Sequence, residues 1–129
     1  MVEPHELLAK INSYYGSNYL PHGVLYIRDE RFFLYTGGVI PLENVWQGLH
    51  IANTDLSLTI EGAQLFGKTA GKKHAISPED TISYFKGEDL KTECDDGFVI
   101  LTCNGKIIGC GLVESNTMKN LIPKSRLIK

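Results

Sequence analysis

Residues 96–113 read DGFVILTCNGKIIGCGLV, and this stretch predicts a β-hairpin. The runs FVILTC and KIIGCGLV have the length and the β-branched content that are typical of strands. Between them lies Asn104-Gly105, a dipeptide that favours a tight two-residue hairpin turn. Gly109 and Gly111 interrupt the second run, which indicates a bend or a close approach of another part of the chain. We therefore expect a small, strongly curved sheet or barrel that contains this hairpin.

The N-terminal part of the chain predicts one helix followed by a pair of strands. Apolar residues recur at helical spacing over residues 4–15, where Pro4 suits the first turn and Gly16 suits the end. Strands are expected over residues 24–27 and 32–35, with four charged residues in the turn between them.

The middle of the chain predicts a third strand, near residues 47–52, and two short helices. The first helix covers residues 59–66, and Gly67 is expected to terminate it. The second begins after Ser77-Pro78, a cap followed by a proline in the first turn. Helices and strands in this order predict an α+β protein.

For the helix that begins after Ser77-Pro78, the sequence also predicts the buried face and the end. Ile82 and Phe85 are expected to supply its apolar face, with Tyr84 beside them, and Gly87 is expected to end it.

Length and composition limit the class of protein. The chain has 129 residues, 43% hydrophobic and 22% charged, which is typical of one globular domain or of two small modules that share a core. A formal net charge of -2 excludes a uniformly basic nucleic-acid-binding protein. No apolar run approaches the roughly 20 residues of a membrane span, and the N-terminus lacks the apolar core of a signal peptide. With 3 cysteines and no Cys-x-x-Cys pair, we expect reduced thiols, with Cys103 and Cys110 buried, in a cytoplasmic protein.

Charge is unevenly distributed along the chain. Residues 1–103 carry 8 Lys/Arg and 14 Asp/Glu, whereas residues 104–129 carry 5 Lys/Arg and 1 Glu. The net charges of the two parts are therefore -6 and +4. A second basic cluster lies in a stretch without acids and consists of Lys68, Lys72, Lys73 and His74. This asymmetry indicates either a polarised surface for a polyanion or a solvated basic edge.

Candidate catalytic residues do not form a convincing set. Cys103 and His74 are the best thiol–imidazole pair, but Cys103 lies in an apolar run with nothing nearby to stabilise a thiolate. The 4 histidines are scattered without the spacing of a metal site. The segment Gly109-Cys110-Gly111 lacks the third glycine of a dinucleotide-binding loop. We therefore expect no catalytic residue, no metal site and no cofactor.

Five segments of the second half occur in a characteristic order. They are KKHAIS at 72–77, FKGEDL at 85–90, GFVIL at 97–101, IGCG at 108–111 and KNLIPKSR at 119–126. In this order they resemble a PUA domain, the RNA-binding domain named after pseudouridine synthases and archaeosine transglycosylases. The resemblance covers residues 68–129 and implies a small mixed β pseudobarrel with short helices, which binds structured RNA.

The N-terminal half contains GLHIA at 48–52 and AQLFGK at 63–68. With these segments, it resembles the part that precedes the PUA domain in two groups of proteins. One group is the tails of Sun-type RNA cytosine-5 methyltransferases, and the other is the Nip-seven ribosome-biogenesis family. The resemblance implies a small α/β module over residues 1–67 and an archaeal source. Methyltransferase activity is not implied, since the chain lacks a Pro-Cys nucleophile pair.

The resemblance also implies which residues meet RNA. In the family, RNA is bound by the segment after the first helix and by the late strands. Together with the basic cluster, the expected RNA-binding residues are Lys68, Lys72, Lys73, His74, Lys86, Gly87, Lys119, Asn120, Lys124 and Arg126. We expect one face that joins the basic cluster to the last strand. Glu88 and Asp89 would repel phosphate after Gly87, so this loop either reads a base or only turns the chain.

Three functions follow as hypotheses. The first is a non-catalytic protein that recognises structured RNA, tRNA or rRNA, in RNA modification or ribosome biogenesis, without specificity for DNA. The second is a protein-interaction module that serves as accessory subunit of an RNA-modification enzyme. The acidic N-terminal half and the possible exposure of Tyr14, Tyr15 and Tyr19 motivate it. The third and least favoured is a small enzyme that uses Cys103 or Cys110.

Overall fold

The computed structural model describes residues 3–35 and 48–122. These residues form three helices and eight strands, in the order α1 (Pro4–Tyr15), β1 (Val24–Arg28), β2 (Arg31–Tyr35), β3 (Leu49–Asn53), α2 (Ile60–Gly67), β4 (Lys73–Ala75), α3 (Pro78–Phe85), β5 (Leu90–Lys91), β6 (Gly97–Cys103), β7 (Lys106–Glu114) and β8 (Thr117–Asn120). Within this described part, the strands make one sheet of order β1-β2-β3 and one of order β4-β6-β7-β8-β5. The second sheet curls into a half-barrel, which confirms the predicted α+β class and pseudobarrel.

The predicted hairpin is confirmed as β6 and β7. The two strands pair antiparallel from Gly97↔Val113 to Cys103↔Lys106. Asn104 has φ 52° and Gly105 has φ 80°, so both turn residues adopt the left-handed conformation. A two-residue turn with positive φ at both positions matches the twist of the flanking strands.

The two glycines of β7 allow close packing on one face of the sheet. The ring of Tyr84 lies 3.6 Å from where a Cβ of Gly109 would be, and the side chain of Met118 occupies the space of a Cβ on Gly111. Because these positions point to the same face, β7 presents there a groove that Tyr84 and Met118 fill. The predicted close approach in a curved sheet is therefore confirmed.

The centre of the five-stranded sheet is buried on both faces. On one face, Val99 and Leu101 pack in a core with Tyr84 and Met118. On the other, Ile100 belongs to a core that includes residues of α1 and α2. Burial on both faces explains why β6 reads as a continuous apolar run instead of an alternating one. The N-terminal elements therefore share a core with the C-terminal sheet, and the division at residues 67 and 68 stays a prediction.

Helices α1 and α2 follow the sequence pattern, with one difference. Gly16, with φ 66°, ends α1 as predicted, and Thr59 caps α2 through a hydrogen bond from the Gly62 amide. Gly67 is the buried last residue of α2, and a Cβ there would lie 2.7 Å from Ile107 Cδ1. The helix therefore ends at Gly67 as predicted, but Lys68 and not the glycine caps it, and the glycine instead allows close packing on β7.

Helix α3 begins as predicted but buries a different face. Ser77 caps it and Pro78 is its first residue. Ile82 is 53% exposed, whereas Tyr84 is fully buried. At about 100° per residue, Ile82 lies about 200° around the helix from Tyr84, so one sheet cannot cover both. The predicted apolar face is therefore wrong at Ile82.

Three short strands were not predicted. β4, β5 and β8 have 3, 2 and 4 residues and consist largely of polar side chains. β4 pairs parallel with β6, and β5 pairs antiparallel with β8. Their strand conformation depends on neighbours that are distant in sequence.

The N-terminal tyrosines have structural roles, and the expectation of exposed aromatic residues is wrong for Tyr15, whereas Tyr14 and Tyr19 are half-buried. Tyr15 is fully buried, and its hydroxyl donates to the Leu56 carbonyl over 2.7 Å. The Tyr14 hydroxyl accepts the Phe98 amide at 2.7 Å. Tyr19 packs edge-on against a core phenylalanine with ring centroids 5.0 Å apart.

The thiols only partly match expectation. All three cysteines are free, as predicted, and Cys110 is buried. Cys103 is only half-buried, because it is the last residue of β6 and lies next to the exposed hairpin turn.

Candidate nucleic-acid interface

The C-terminal end of α3 presents one of the predicted cations. Helix α3 ends at Phe85, and the Lys86 amide still donates to the Ile82 carbonyl over 3.1 Å. Gly87 follows with φ 94°, a conformation that costs a glycine nothing but strains other residues. The Lys86 side chain is exposed and lies where the helix carbonyls carry partial negative charge. The helix end therefore orients Lys86 toward solvent.

Asn120 joins this helix end to β8. Its amide nitrogen donates to the Tyr84 carbonyl over 2.5 Å and to the Glu88 carbonyl over 3.2 Å. Its side-chain oxygen accepts the Ile122 amide at 2.9 Å. Both amide hydrogens are thus used inside the chain. The result is a rigid connection between the loop after α3 and the end of β8.

The acidic pair after Gly87 has a structural contact. The Asp89 carboxylate accepts the Asn120 backbone amide at 2.8 Å. The Glu88 carbonyl, as a backbone group, accepts from the Asn120 side chain. Of the two roles considered for this loop, the contacts favour the one in which it turns the chain.

Lys119 lies beside this unit on β8. It is exposed and pairs with Leu112 of β7, on the sheet face opposite to that of Asn120. Lys86, Gly87, Lys119 and Asn120 therefore occupy one end of the half-barrel. Lys124 and Arg126 lie outside the described residues.

The basic cluster is placed elsewhere. Lys73 is exposed and His74 half-buried on β4, at the edge of the sheet. β6 and β7 lie between β4 and β8. At the usual strand spacing, three intervals separate β4 from β8 by about 14 Å. The structure therefore does not bring Lys73 and His74 next to Lys119.

The other two members of the basic cluster have different surroundings. Lys72 Nζ lies 3.8 Å from the centroid of the Tyr14 ring, a cation–π contact inside the chain. Lys68 follows α2 and lines a shallow groove of about 500 Å³ together with Lys106. Lys106 was missed as a site residue because only the fold brings it beside Lys68, and its place after the Asn104-Gly105 turn was the available signal.

Buried ionisable groups stay neutral in the interior. Desolvation raises the pKa of the Cys110 thiol, so this cysteine is poorly suited to nucleophilic chemistry at neutral pH. Burial likewise raises the pKa of Tyr15 and of Tyr84.

Across residues 3–35 and 48–122, no three His, Cys, Asp or Glu side chains form a group that could hold a metal ion. The same ranges contain no helix with both the length and the apolar character of a membrane span.

The C-terminal part also matches a known family. Residues 72–128 match the family model described as the methyltransferase RsmF PUA domain. A comparison with curated proteins finds no significant match. The matched region begins just before β4 and includes α3 and the whole five-stranded sheet. It therefore also contains the end of the half-barrel that Lys86, Gly87, Lys119 and Asn120 occupy. PUA domains are non-catalytic RNA-binding modules. The predicted resemblance to a PUA domain is thereby confirmed for residues 72–128, which are similar to the PUA domain of a Sun-type methyltransferase tail.

Proposed function

We propose that this chain is a non-catalytic RNA-binding protein that recognises structured RNA. The observation that carries the proposal is the family match over residues 72–128. The geometry supports it, because Lys86 and Lys119 are exposed on either side of a loop and strand that Asn120 joins firmly. Cations on a rigid frame can contact phosphates at fixed spacing, as a protein that reads RNA shape requires.

The finer parts of the proposal rest on the sequence resemblance. They are that the RNA is a tRNA or an rRNA and that the chain acts in RNA modification or ribosome biogenesis. A cytoplasmic location, an archaeal source and a modification enzyme as partner have the same basis.

The first experiment is a binding titration against three nucleic acids. Folded tRNA, a ribosomal-RNA fragment and a DNA duplex of matched charge are titrated from about 50 to 250 mM salt. We expect tight, salt-sensitive binding with a preference for folded RNA. Absence of RNA binding at the lowest salt would contradict the proposed function.

Single substitutions locate the interface. We expect Lys86→Ala and Lys119→Ala each to weaken RNA binding and to make the salt dependence shallower by about one unit. Lys10→Ala is the matched control, since Lys10 is exposed on α1, which is not among the elements that carry Lys86 and Lys119. Equal effects of all three substitutions would contradict this placement.

The sequence-predicted cations of the C-terminus have their own test. We expect Lys124→Ala combined with Arg126→Ala to weaken RNA binding by about 1–3 kcal/mol and to reduce the salt slope by about one to two units. An unchanged affinity and slope in a folded double variant would remove these two residues from the interface.

An accessory role beside a separate modification enzyme is the second candidate. The specific observation is that the family description names a methyltransferase, while this chain adds two helices and a three-stranded sheet before the matched region. A complex with such an enzyme that survives ribonuclease treatment would favour the accessory role. Its loss on ribonuclease treatment would leave RNA as the only link.

A further inference from the structure

A cleft lies between the N-terminal elements and the PUA sheet. It has a volume of about 430 Å³. Tyr84 and Cys110 contribute to it from the C-terminal part, whereas His50, Asn53 and Ser57 contribute from β3 and the following loop. Its size falls within the range of small-molecule sites. The cleft is therefore built by both halves of the chain and exists only when they pack together.

The polar wall of this cleft is a directed chain of hydrogen bonds. The Asp55 carboxylate can only accept, so the Ser57 hydroxyl, 2.6 Å away, donates to it. Ser57 Oγ therefore accepts from Asn53 Nδ2 at 3.0 Å. This turns Asn53 Oδ1 toward His50 Nε2, 2.8 Å away, which must carry a proton to donate.

The direction of these hydrogen bonds determines which donor and acceptor atoms remain available to a ligand. In the neutral imidazole, His50 Nδ1 is then an acceptor. Asn53 Nδ2 has two hydrogens, and Ser57 takes one of them among the described residues. One donor and one acceptor thus stand on neighbouring side chains that line the cleft. The edges of nucleobases present donors and acceptors in the same kind of alternation.

The loop that carries this wall is held in a strained conformation. Leu56 has φ 78°, which is unfavourable for a residue with a side chain. The buried hydroxyl of Tyr15 donates to the Leu56 carbonyl over 2.7 Å, and the Leu56 amide donates to the Asn53 carbonyl over 3.0 Å. These bonds fix Asp55 and Ser57 in place, so the wall is formed before any ligand arrives.

An aromatic row ends at the same wall. Tyr26 stacks on Phe33 with ring centroids 5.1 Å apart, and Phe33 lies 5.3 Å from the His50 ring. These residues are opposite one another across β1, β2 and β3. His50 is the half-buried last member of the row and also lines the cleft. The row therefore holds the His50 ring in a fixed orientation, so that its Nδ1 edge is available in the cleft.

The groove with Lys68 and Lys106 adjoins the cleft. Leu49 and Glu61 line both depressions, so the two form one continuous surface. Glu61 lies in the first turn of α2 and Lys68 follows its last residue, about 10 Å along the helix axis. A negative group is therefore disfavoured near Glu61 and favoured at the lysine end.

We propose that this continuous surface binds one unpaired nucleotide of an RNA. Its base lies in the cleft against His50 and Asn53, and a phosphate of the strand lies between Lys68 and Lys106. The proposal rests on the proposed RNA-binding function and adds a second contact region, separate from Lys86 and Lys119. It gives the N-terminal elements a role in recognising a base, whereas the half-barrel end contacts phosphates.

Mononucleotides test the cleft without any substitution. The labelled full chain is titrated with the four ribonucleoside 5′-monophosphates up to about 10 mM, which detects a millimolar Kd. We expect at least one of them to shift the resonances of His50, Asn53 and Ser57. Inorganic phosphate, as control, should shift only the Lys68 and Lys106 region. If no mononucleotide shifts the cleft resonances beyond phosphate, the proposal is wrong.

Substitutions then test how the surface binds a single-stranded RNA. In binding of a single-stranded RNA decamer, Lys68→Ala and Lys106→Ala should each weaken affinity by about threefold to tenfold. Lys10→Ala, the matched control, should change it less than twofold. Asn53→Ser should alter the preference among the four bases and leave binding to inorganic phosphate unchanged. Equal affinities of the decamer for Lys68→Ala, Lys106→Ala and Lys10→Ala would overturn the phosphate placement.

The two proposals can fail separately. Folded-RNA binding with silent cleft resonances would leave the PUA function standing and remove the nucleotide site. Cleft shifts with a mononucleotide but no binding of folded RNA would support the nucleotide site and contradict the proposed function.

Discussion

Gly62 lies where α2 crosses β3, and the Ile51 carbonyl oxygen occupies the space that a Cβ on Gly62 would need. From sequence alone, a glycine inside a helical pattern reads as a weak point, because alanine has the higher helix propensity. The structure shows that the missing side chain lets the helix backbone touch the strand. This contact holds α2 against the strand that carries His50.

We expect Gly62→Ala to lower the free energy of unfolding by about 1–3 kcal/mol, since the overlap outweighs the gain in helix propensity. Gly71→Ala is the matched control, because the nearest atom to its new Cβ is the Gly16 oxygen at 4.0 Å. The control should change stability by less than about 0.5 kcal/mol. Urea unfolding followed by circular dichroism measures both, and equal stabilities of the two variants would contradict the packing argument.

At the scale of elements, α3 connects the fold to the proposed RNA interface. Its start is set locally, by Ser77, whose hydroxyl accepts the Asp80 amide at 3.0 Å. Its end is set by tertiary contacts, through the Tyr84 and Glu88 carbonyls that Asn120 binds. The helix is only 8 residues long, so its caps and contacts dominate its stability.

Ser77→Ala should lower the free energy of unfolding by about 1 kcal/mol, because the first-turn amide of Asp80 loses its acceptor. Ser77→Asp, which keeps an acceptor at the cap, should stay within about 0.5 kcal/mol of the native chain. Chemical denaturation distinguishes the two. A similar loss for both variants would show that the serine acts through something other than its hydrogen bond.

At the scale of the whole molecule, the PUA sheet separates and also joins two cores. Cys110 is one point of contact: the Tyr15 hydroxyl of α1 lies 3.6 Å from its sulfur, and the Tyr84 hydroxyl donates to its carbonyl. The N-terminal core and the C-terminal core therefore lie on opposite faces of the same strands and are also linked through Cys110. For that reason we expect them to unfold together.

The same three groups predict an alkaline limit to stability. Burial raises the pKa of Tyr15 and Tyr84 from 10.0 and that of Cys110 from 9.0 in the folded chain. Well below pH 9 both states hold these protons, so the groups cause no pH dependence there. Above it, the unfolded state releases protons first, and the free energy of unfolding falls as pH rises. The loss is up to about 1.4 kcal/mol per pH unit for each group.

Tyr84→Phe tests this linkage. The variant loses the hydrogen bond to the Cys110 carbonyl, which costs about 1 kcal/mol at neutral pH. Above pH 10 its stability should fall less steeply than that of the native chain, because one titrating group is gone. Urea midpoints between about pH 7 and 11 provide the measurement. Parallel curves for the two chains would be incompatible with a neutral buried Tyr84.

Much of this protein is determined locally and was therefore predictable. The Asn104-Gly105 turn specifies its hairpin through backbone conformation alone, and Ser77-Pro78 specifies the start of a helix. The order of such signals was enough to predict the α+β class and the PUA resemblance.

Only the tertiary structure decided the remainder. Strands β4, β5 and β8 are too short and polar to be recognised without their partners. The packing of Gly67 on β7 and the exposure of Ile82 depend on neighbours that are distant in sequence. The predicted face that joins the basic cluster to the late strands is not continuous between Lys73 and Lys119, because sheet order, not chain order, sets the distance between these residues. The cleft at His50 and Asn53 depends on two halves meeting, and no local pattern of residues encodes a surface made from both.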